Sequence, residues 1–168
     1  MNITFTVKTS VRLKVGKDVI WKGITNSIMR YPKPLCFNLG IPLPKKCEIT
    51  RFENGLAKSR KCTSDHGSIE QNITVFDKYE RLSFHMVSHD LKVYFRIVSM
   101  NDEFIIFKEQ DGSNTVSRIT NITIPNGFEL VIRKWLIGRS LKCVHEYVYQ
   151  NIKSAQQGDA PEPASPAR

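Results

Sequence analysis

Apolar Ile3, Phe5, Val7, Val11, Leu13 and Val15 are interleaved with Asn2, Thr4, Thr6, Lys8, Ser10, Arg12 and Lys14. That period-two pattern predicts a long strand with one wet face. Gly16-Lys17-Asp18 ends it. Asp18 is a fair N-cap for a short helix carrying Val19, Ile20, Trp21 and Ile24, its carboxylate open to the unpaired N–H groups of the first turn. Residues 27–31 are expected to form a second short helix, stopped by Pro32 and Pro34. Residues 35–46 contain Gly40, Pro42 and Pro44 and read as a connecting loop. Leu35, Phe37, Leu39, Ile41 and Leu43 make it apolar enough to pack over a core or line the mouth of a cavity.

Candidate strands follow at 47–53, 56–64, 68–76, 81–88, 91–100, 103–109 and 113–124. Between them lie turn clusters: Glu53-Asn54-Gly55, Asp65-His66-Gly67, Ser88-His89-Asp90, Asn101-Asp102 and Asp111-Gly112. The 91–109 region reads equally as a bent hairpin or as a strand plus a loop. With the opening strand the candidates number about eight, and their short connections argue antiparallel pairing. The last regular stretch, 126–153, has the spacing of a helix. Phe128, Val131, Trp135, Leu141, Val144, Val148 and Ile152 recur at three, four or their sums. Such a helix rises about 40 Å and must bury its stripe against the sheet. The expected architecture is a single α+β domain over residues 1–153, with residues 154–168, rich in Pro and Ala, as a disordered tail.

This order of strand, two short helices, antiparallel strands and closing helix resembles the helix-grip fold of the START-like, or SRPBCC, superfamily. Val19-Ile20-Trp21 and Tyr31-Pro32 resemble the opening of its polyketide cyclase/dehydrase-like branch. Phe52-Glu53-Asn54-Gly55 is similar to its first hairpin. Gly67-Ser68-Ile69, Ile73-Thr74 and Arg81-Leu82-Ser83-Phe84 are similar to its central strands, and Trp135, His145 and Ile152-Lys153 to its closing helix. The resemblance implies a curved antiparallel sheet gripping the C-terminal helix around a deep, largely apolar cavity. In that superfamily such cavities hold lipids, sterols, polyketides, plant hormones or other apolar small molecules. Some members cyclise, dehydrate or isomerise the ligand and others carry or sense it, so the resemblance does not choose between enzyme and binder.

Cavity-facing candidates follow from both readings. Trp21, Tyr31, Phe37, Phe84, Tyr94, Phe104 and Trp135 are large aromatic residues that line a cavity or fill a core. Arg51, Arg81, Arg96 and Arg118 sit in or at the start of strands. An inward guanidinium there needs a paired acceptor, or holds a ligand's carboxylate, phosphate or enolate oxygen. Arg118 shares its side with Val116, Thr120 and Ile122 and is the strongest inward candidate. Arg118, Arg81, Gln71 and Thr63 are the polar groups expected to orient a ligand.

Composition narrows this picture. Over 168 residues, 40% apolar and 24% charged content excludes a disordered chain. The net charge of +9 and the basic pairs Lys45-Lys46, Arg60-Lys61 and Arg133-Lys134 would suit transient contact with an anionic membrane surface. No nucleic-acid reader motif is present, and no nucleic-acid partner is expected. The four cysteines, Cys36, Cys47, Cys62 and Cys143, have no metal or redox spacing and are expected as free thiols in a reducing, cytoplasmic compartment. The N-terminus does not look like a signal peptide. Each of Asn2, Asn72 and Asn121 opens an Asn-Ile-Thr sequon, expected to reflect strand composition and not glycans. No metal site and no cofactor are expected. His145 could act as a general base in a cavity, or be a satisfied helix histidine. The oligomeric state is not readable.

Overall fold

The computed structural model describes residues 2–39, 41–92, 96–127 and 130–156. In chain order the elements are β1 (Asn2–Leu13), α1 (Lys17–Thr25), β2 (Ser27–Ile28) and a 3-10 helix (Leu35–Leu39). There follow β3 (Pro44–Glu53), β4 (Leu56–Ser64), β5 (Gly67–Asp77), β6 (Arg81–His89), β7 (Ser99–Lys108), β8 (Asn114–Pro125) and α2 (Leu130–Gln156). The strands form one antiparallel sheet in the order β1-β8-β7-β6-β5-β4-β3-β2. It curves into a half-barrel around α2, so the expected α+β helix-grip architecture is the one observed.

Each hairpin repeats the local chemistry. Asn54 and Gly55 both have positive φ, 51° and 76°, which suits the right-handed twist of β3 and β4. Asp65-His66-Gly67 joins β4 to β5 with Ser64 opposite Gly67. The long-range closure is β1 against β8, from Asn2 opposite Pro125 to Leu13 opposite Asn114. All three Asn-Ile-Thr sequons lie in strands, in β1, β5 and β8.

Several expectations shift. Gly16, not Asp18, is the N-cap of α1, and no side chain caps it; Asp18 lies in the first turn, where a carboxylate still suits the helix dipole. Residues 27–28 are a short strand against β3, and the second short helix falls on Leu35–Leu39, inside the expected loop. Over 91–109 one strand, β7, runs straight through Asn101-Asp102, which is the strand of the strand-plus-loop alternative; no strand is described at 91–92 or 96–98. Tyr94, Gly40 and Phe128 lie outside the described residues. Residues 154–156, read as the start of the tail, belong to α2; the rest of that segment lies outside the described residues.

The helix stripe is half right. Val148 and Ile152 are buried, Leu141 and Val144 half-buried, and Ile137 is fully buried beside them. Val131 and Trp135 are exposed, Trp135 by 61%. Trp135 and Leu141 are six residues apart, and at about 100° per residue that step leaves Trp135 about 120° around the helix from Leu141. A sum of two intervals of three does not return to the same side.

Three apolar clusters result. Leu13, Ile20, Trp21, Ile24, Phe84, Phe104, Val148 and Ile152 belong to the first. Met86, Met100, Ile122, Ile124 and Ile137 belong to the second. Phe37, Ile41, Cys143 and Tyr147 form the third, beneath the 3-10 helix. Each fully buried large apolar side chain stabilises the fold by roughly 1.5–3 kcal/mol.

The cysteines overturn the free-thiol expectation, because the fold makes neighbours of residues far apart in sequence. Cys47 and Cys62 face each other across β3 and β4 and are disulfide-bonded, with Cα atoms 4.1 Å apart. Cys36 of the 3-10 helix is bonded to Cys143 of α2. Thiol titration of unreduced protein should therefore find no free thiol, and four after denaturation and reduction. The Cys36–Cys143 bridge spans 107 residues and Cys47–Cys62 spans 15. Chain entropy assigns them about 4–5 and about 3 kcal/mol, so removing the first by paired Cys→Ser substitution should lower the urea midpoint more.

A second prediction concerns the turns. Gly67 has φ +125°, and a Cβ there would lie 2.7 Å from the main-chain oxygen of Asp90; Gly55 has φ +76° and open space around it. Urea denaturation should find Gly67→Ala destabilising by about 3 kcal/mol and Gly55→Ala by about 1 kcal/mol.

Candidate functional site

An interior cavity of about 140 Å³ lies between the sheet and α2, where the three apolar clusters fail to merge. From α2 it is walled by Ile137, Ser140, Leu141, Val144 and Val148. Phe84, Met100, Phe104 and Ile122 line it from β6, β7 and β8, and Arg60, Cys62, Thr63, Ser64, Ile69 and Gln71 from β4 and β5. Pro44 and Cys47 of β3 complete it with Met29, Ile41, Pro42, Leu91 and Ile97 from connecting segments.

Arg60, Gln71 and Arg118 form its polar wall. Arg60 and Gln71 are directly opposed in the β4–β5 register and both are buried. Each arginine lies over an aromatic face: the Arg60 guanidinium carbon is 4.6 Å from the Phe84 ring centroid, and that of Arg118 is 4.9 Å from the Phe104 centroid. The two rings are themselves 6.2 Å apart.

Behind that wall runs a buried polar chain. Arg118 Nε donates to both carboxylate oxygens of Asp102 at 3.1 Å, and Nη2 donates to Oδ2. Thr120 Oγ1 donates to Asp102 Oδ1 at 2.7 Å. Since that hydroxyl has one proton, the 2.9 Å contact between Thr120 Oγ1 and His145 Nε2 requires Nε2 to be the donor. His145 Nδ1 lies 2.8 Å from Thr9 Oγ1, which is 3.0 Å from Tyr149 Oη, and Tyr149 Oη donates to the main-chain oxygen of Thr9 at 3.3 Å. In the neutral form that burial enforces, Nδ1 accepts from Thr9 Oγ1.

The ionisation states agree with that geometry. Burial first, then the charge of Arg118, pushes His145 down to about 3, against a smaller opposing pull from Asp102. Burial pushes Asp102 up, but the charge and hydrogen bonds of Arg118, with help from His145 and Thr120, outweigh it and hold the carboxyl below its ordinary value. Burial, then the charge of Arg118, lowers Arg60 to about 9, which leaves it protonated at neutral pH.

Of the residues singled out from sequence, Thr63, Gln71, Phe84, Phe104 and Arg118 line the cavity. The others lie elsewhere. Trp21 is a core residue held edge-on by Phe76 and Tyr79, with centroids 5.2 and 6.0 Å away. Phe37 packs edge-on against Tyr147 at 5.2 Å. Tyr31 lines a separate surface depression between α1 and the end of α2, where its carbonyl accepts from Tyr147 Oη. Arg81 is exposed and paired with Glu103, and Arg51 is exposed and paired with Glu53. Arg96 is exposed. Trp135 points to solvent, its ring 5.8 Å from the Arg139 guanidinium carbon. His145 is fully buried with both ring nitrogens occupied, the satisfied-histidine alternative. Among the described residues no group of three or more His, Cys, Asp or Glu is arranged to hold a metal ion.

Arg60 and Asp102 were missed. Arg60 was legible: the turn at residues 65–67 makes it the cross-strand partner of Gln71, and opposed residues share a face. Asp102 had no comparable signal, because Asn-Asp reads as a turn by propensity.

No protein-family model matches the sequence, and no curated protein sequence is similar to it. Solved structures are similar in shape. A START superfamily protein from Mycobacterium smegmatis superposes with a TM-score of 0.64 at 12% identity, covering 89% of this chain and 98% of that one. Two crystal forms of major latex-like protein 151 from Panax ginseng give 0.59 and 0.60 at 12% and 13% identity, each covering 90% of this chain and 97% of theirs. At this identity the likeness establishes the fold alone: a helix-grip fold related to those of the START and major latex-protein superfamilies.

The buried histidine makes stability pH-dependent. The unfolded chain takes up a proton near 6.5 that the folded chain refuses until about 3. Unfolding therefore binds a proton within that window, and stability falls as pH drops through it, with a slope approaching about 1.4 kcal/mol per unit. Urea denaturation between pH 7 and 4 should show this fall. His145→Gln should be less stable at pH 7 but less sensitive to acid.

Proposed function

We propose that this protein reversibly binds a small, mainly apolar molecule in the cavity between the sheet and α2. The observation that supports this most directly is the cavity itself, walled by Ile, Leu, Val, Met and Phe with a few inward polar groups, the composition expected of a ligand site. Its size favours a compact ligand. About 140 Å³ is close to the roughly 150 Å³ of an apolar cavity that takes a benzene ring, so a single-ring or medium-chain molecule suits it better than a sterol or a long-chain lipid.

Binding is favoured over cyclase, dehydratase or isomerase chemistry by what lines the wall. Among the described lining residues there is no histidine, aspartate, glutamate or tyrosine to move a proton. His145 and Asp102, the nearby candidates, are fully engaged with Thr9, Thr120 and Arg118. Placement in the polyketide cyclase/dehydrase-like branch of the SRPBCC superfamily stays part of this reading, as does transient contact with an anionic membrane surface. The paired cysteines suit an oxidising compartment better than the reducing cytoplasm expected from sequence.

Native mass spectrometry of protein purified from its own host should find a stoichiometric small molecule. Val144→Phe, which adds volume into the cavity from α2, should lose that molecule while keeping the circular dichroism spectrum and thermal midpoint of a folded protein. A wild-type protein that carries nothing and shows no thermal shift with a panel of single-ring and medium-chain compounds would defeat this reading.

A further inference from the structure

The cavity wall holds one charge too many. Arg60 is 5% exposed, and its Nε and Nη1 are closed off from solvent with no hydrogen-bond acceptor among the described residues. The nearest carboxylate is already committed: Asp102 receives Arg118 on both oxygens and Thr120 on one. Burial keeps His145 neutral. Among the described residues, two guanidiniums and one carboxylate leave a single uncompensated positive charge at the cavity wall.

Physical chemistry makes that arrangement expensive in the empty protein. An unpaired buried ion is strongly unfavourable, and the Phe84 face beneath the guanidinium offsets only part of that cost. An anion arriving with the ligand would offset the difference. A guanidinium is built for planar oxyanions, which it binds through two parallel N–H donors. The charge count selects among them: one excess positive charge is neutralised by a carboxylate and overcompensated by a phosphate dianion. Apart from Arg118, which Asp102 neutralises, the rest of the wall carries no charge; it is mainly apolar, Met100, Ile122, Ile137, Val144 and Val148 among it.

We propose that the ligand is a monocarboxylate, a single-ring aromatic or medium-chain acid, whose carboxylate pairs with Arg60 while its body fills the apolar cavity. This rests on the cavity-binding reading above and adds the chemical class of the ligand and the residue that selects it. Arg118, neutralised by Asp102, is a fixed neighbour and not the anchor. The lowered proton affinity of Arg60 leaves it charged under physiological conditions, as the pairing requires.

The experiment is calorimetric titration of wild type, Arg60→Met and Arg60→Lys with 3-phenylpropanoate and octanoate, each against its matched neutral alcohol. Wild type should bind the acids about tenfold or more tighter than the alcohols. Arg60→Met should abolish that preference, and Arg60→Lys should keep part of it. Without ligand, Arg60→Met should also raise the urea midpoint, since it removes an unpaired buried charge. Equal binding of acids and alcohols by wild type would overturn the carboxylate assignment and leave the cavity reading standing. Binding of neither class would remove both. An acid preference that survives in Arg60→Met would remove Arg60 as the anchor. If Arg60→Met does not fold, the wild-type comparison and Arg60→Lys decide the same question.

Discussion

Asp102 is the buried carboxylate on which the interior of this protein depends. It sits on β7, 2% exposed, and is reached from β8 by Arg118 and Thr120. Thr120 passes the connection to His145 on α2, and His145 passes it to Thr9 on β1. Three neighbouring strands and the gripping helix are thereby joined through one ionised side chain. Burying that charge is unfavourable by itself and holds only because every oxygen is occupied. Removing the carboxylate would leave Arg118 and Arg60 facing each other without a counter-ion.

The same arrangement explains why the interior stays partly open. A sheet that curves around one helix cannot bring all its inward side chains into a single packed layer. The apolar residues divide into a cluster shared by α1 and the end of α2, a second at the other end of the sheet, and a third under the 3-10 helix. The space between them is lined by members of each. At the α1 side the closeness of packing is set by Gly23, where a Cβ would lie 2.5 Å from Ile152 Cγ1. One disulfide clamps β3 to β4, where Cys47 and Cys62 line the cavity, and one fastens the 3-10 helix to α2.

Much of the fold was legible because it is local. Period-two alternation marked β1, turn clusters bounded the strands that became β3 to β6 and β8, and Asn54-Gly55 marked the β3–β4 hairpin, where both residues have positive φ. The reading failed where a residue's local preference and its tertiary role differ. Asn101-Asp102 has turn chemistry, yet β7 runs through it because Arg118 and Thr120 supply partners. Residues 27–31 had no helix-breaking signal before Pro32, yet Ser27 and Ile28 pair with β3. Trp135 seemed to share the stripe of α2 until the rotation across six residues is followed.

By itself the sequence determined the order and kind of most elements and the antiparallel pairing implied by short turns, and it offered Arg118, Gln71 and Phe84 as candidates for the inward face. These depend on backbone periodicity and turn chemistry, which act over a few residues. Only the tertiary structure decided which cysteines are bonded, that Asp102 and His145 are buried and linked through Thr120, and that Nε and Nη1 of Arg60 are buried without an acceptor among the described residues. Those outcomes depend on which distant side chains meet. A charge, a thiol or an imidazole takes its character from the neighbour that folding brings to it.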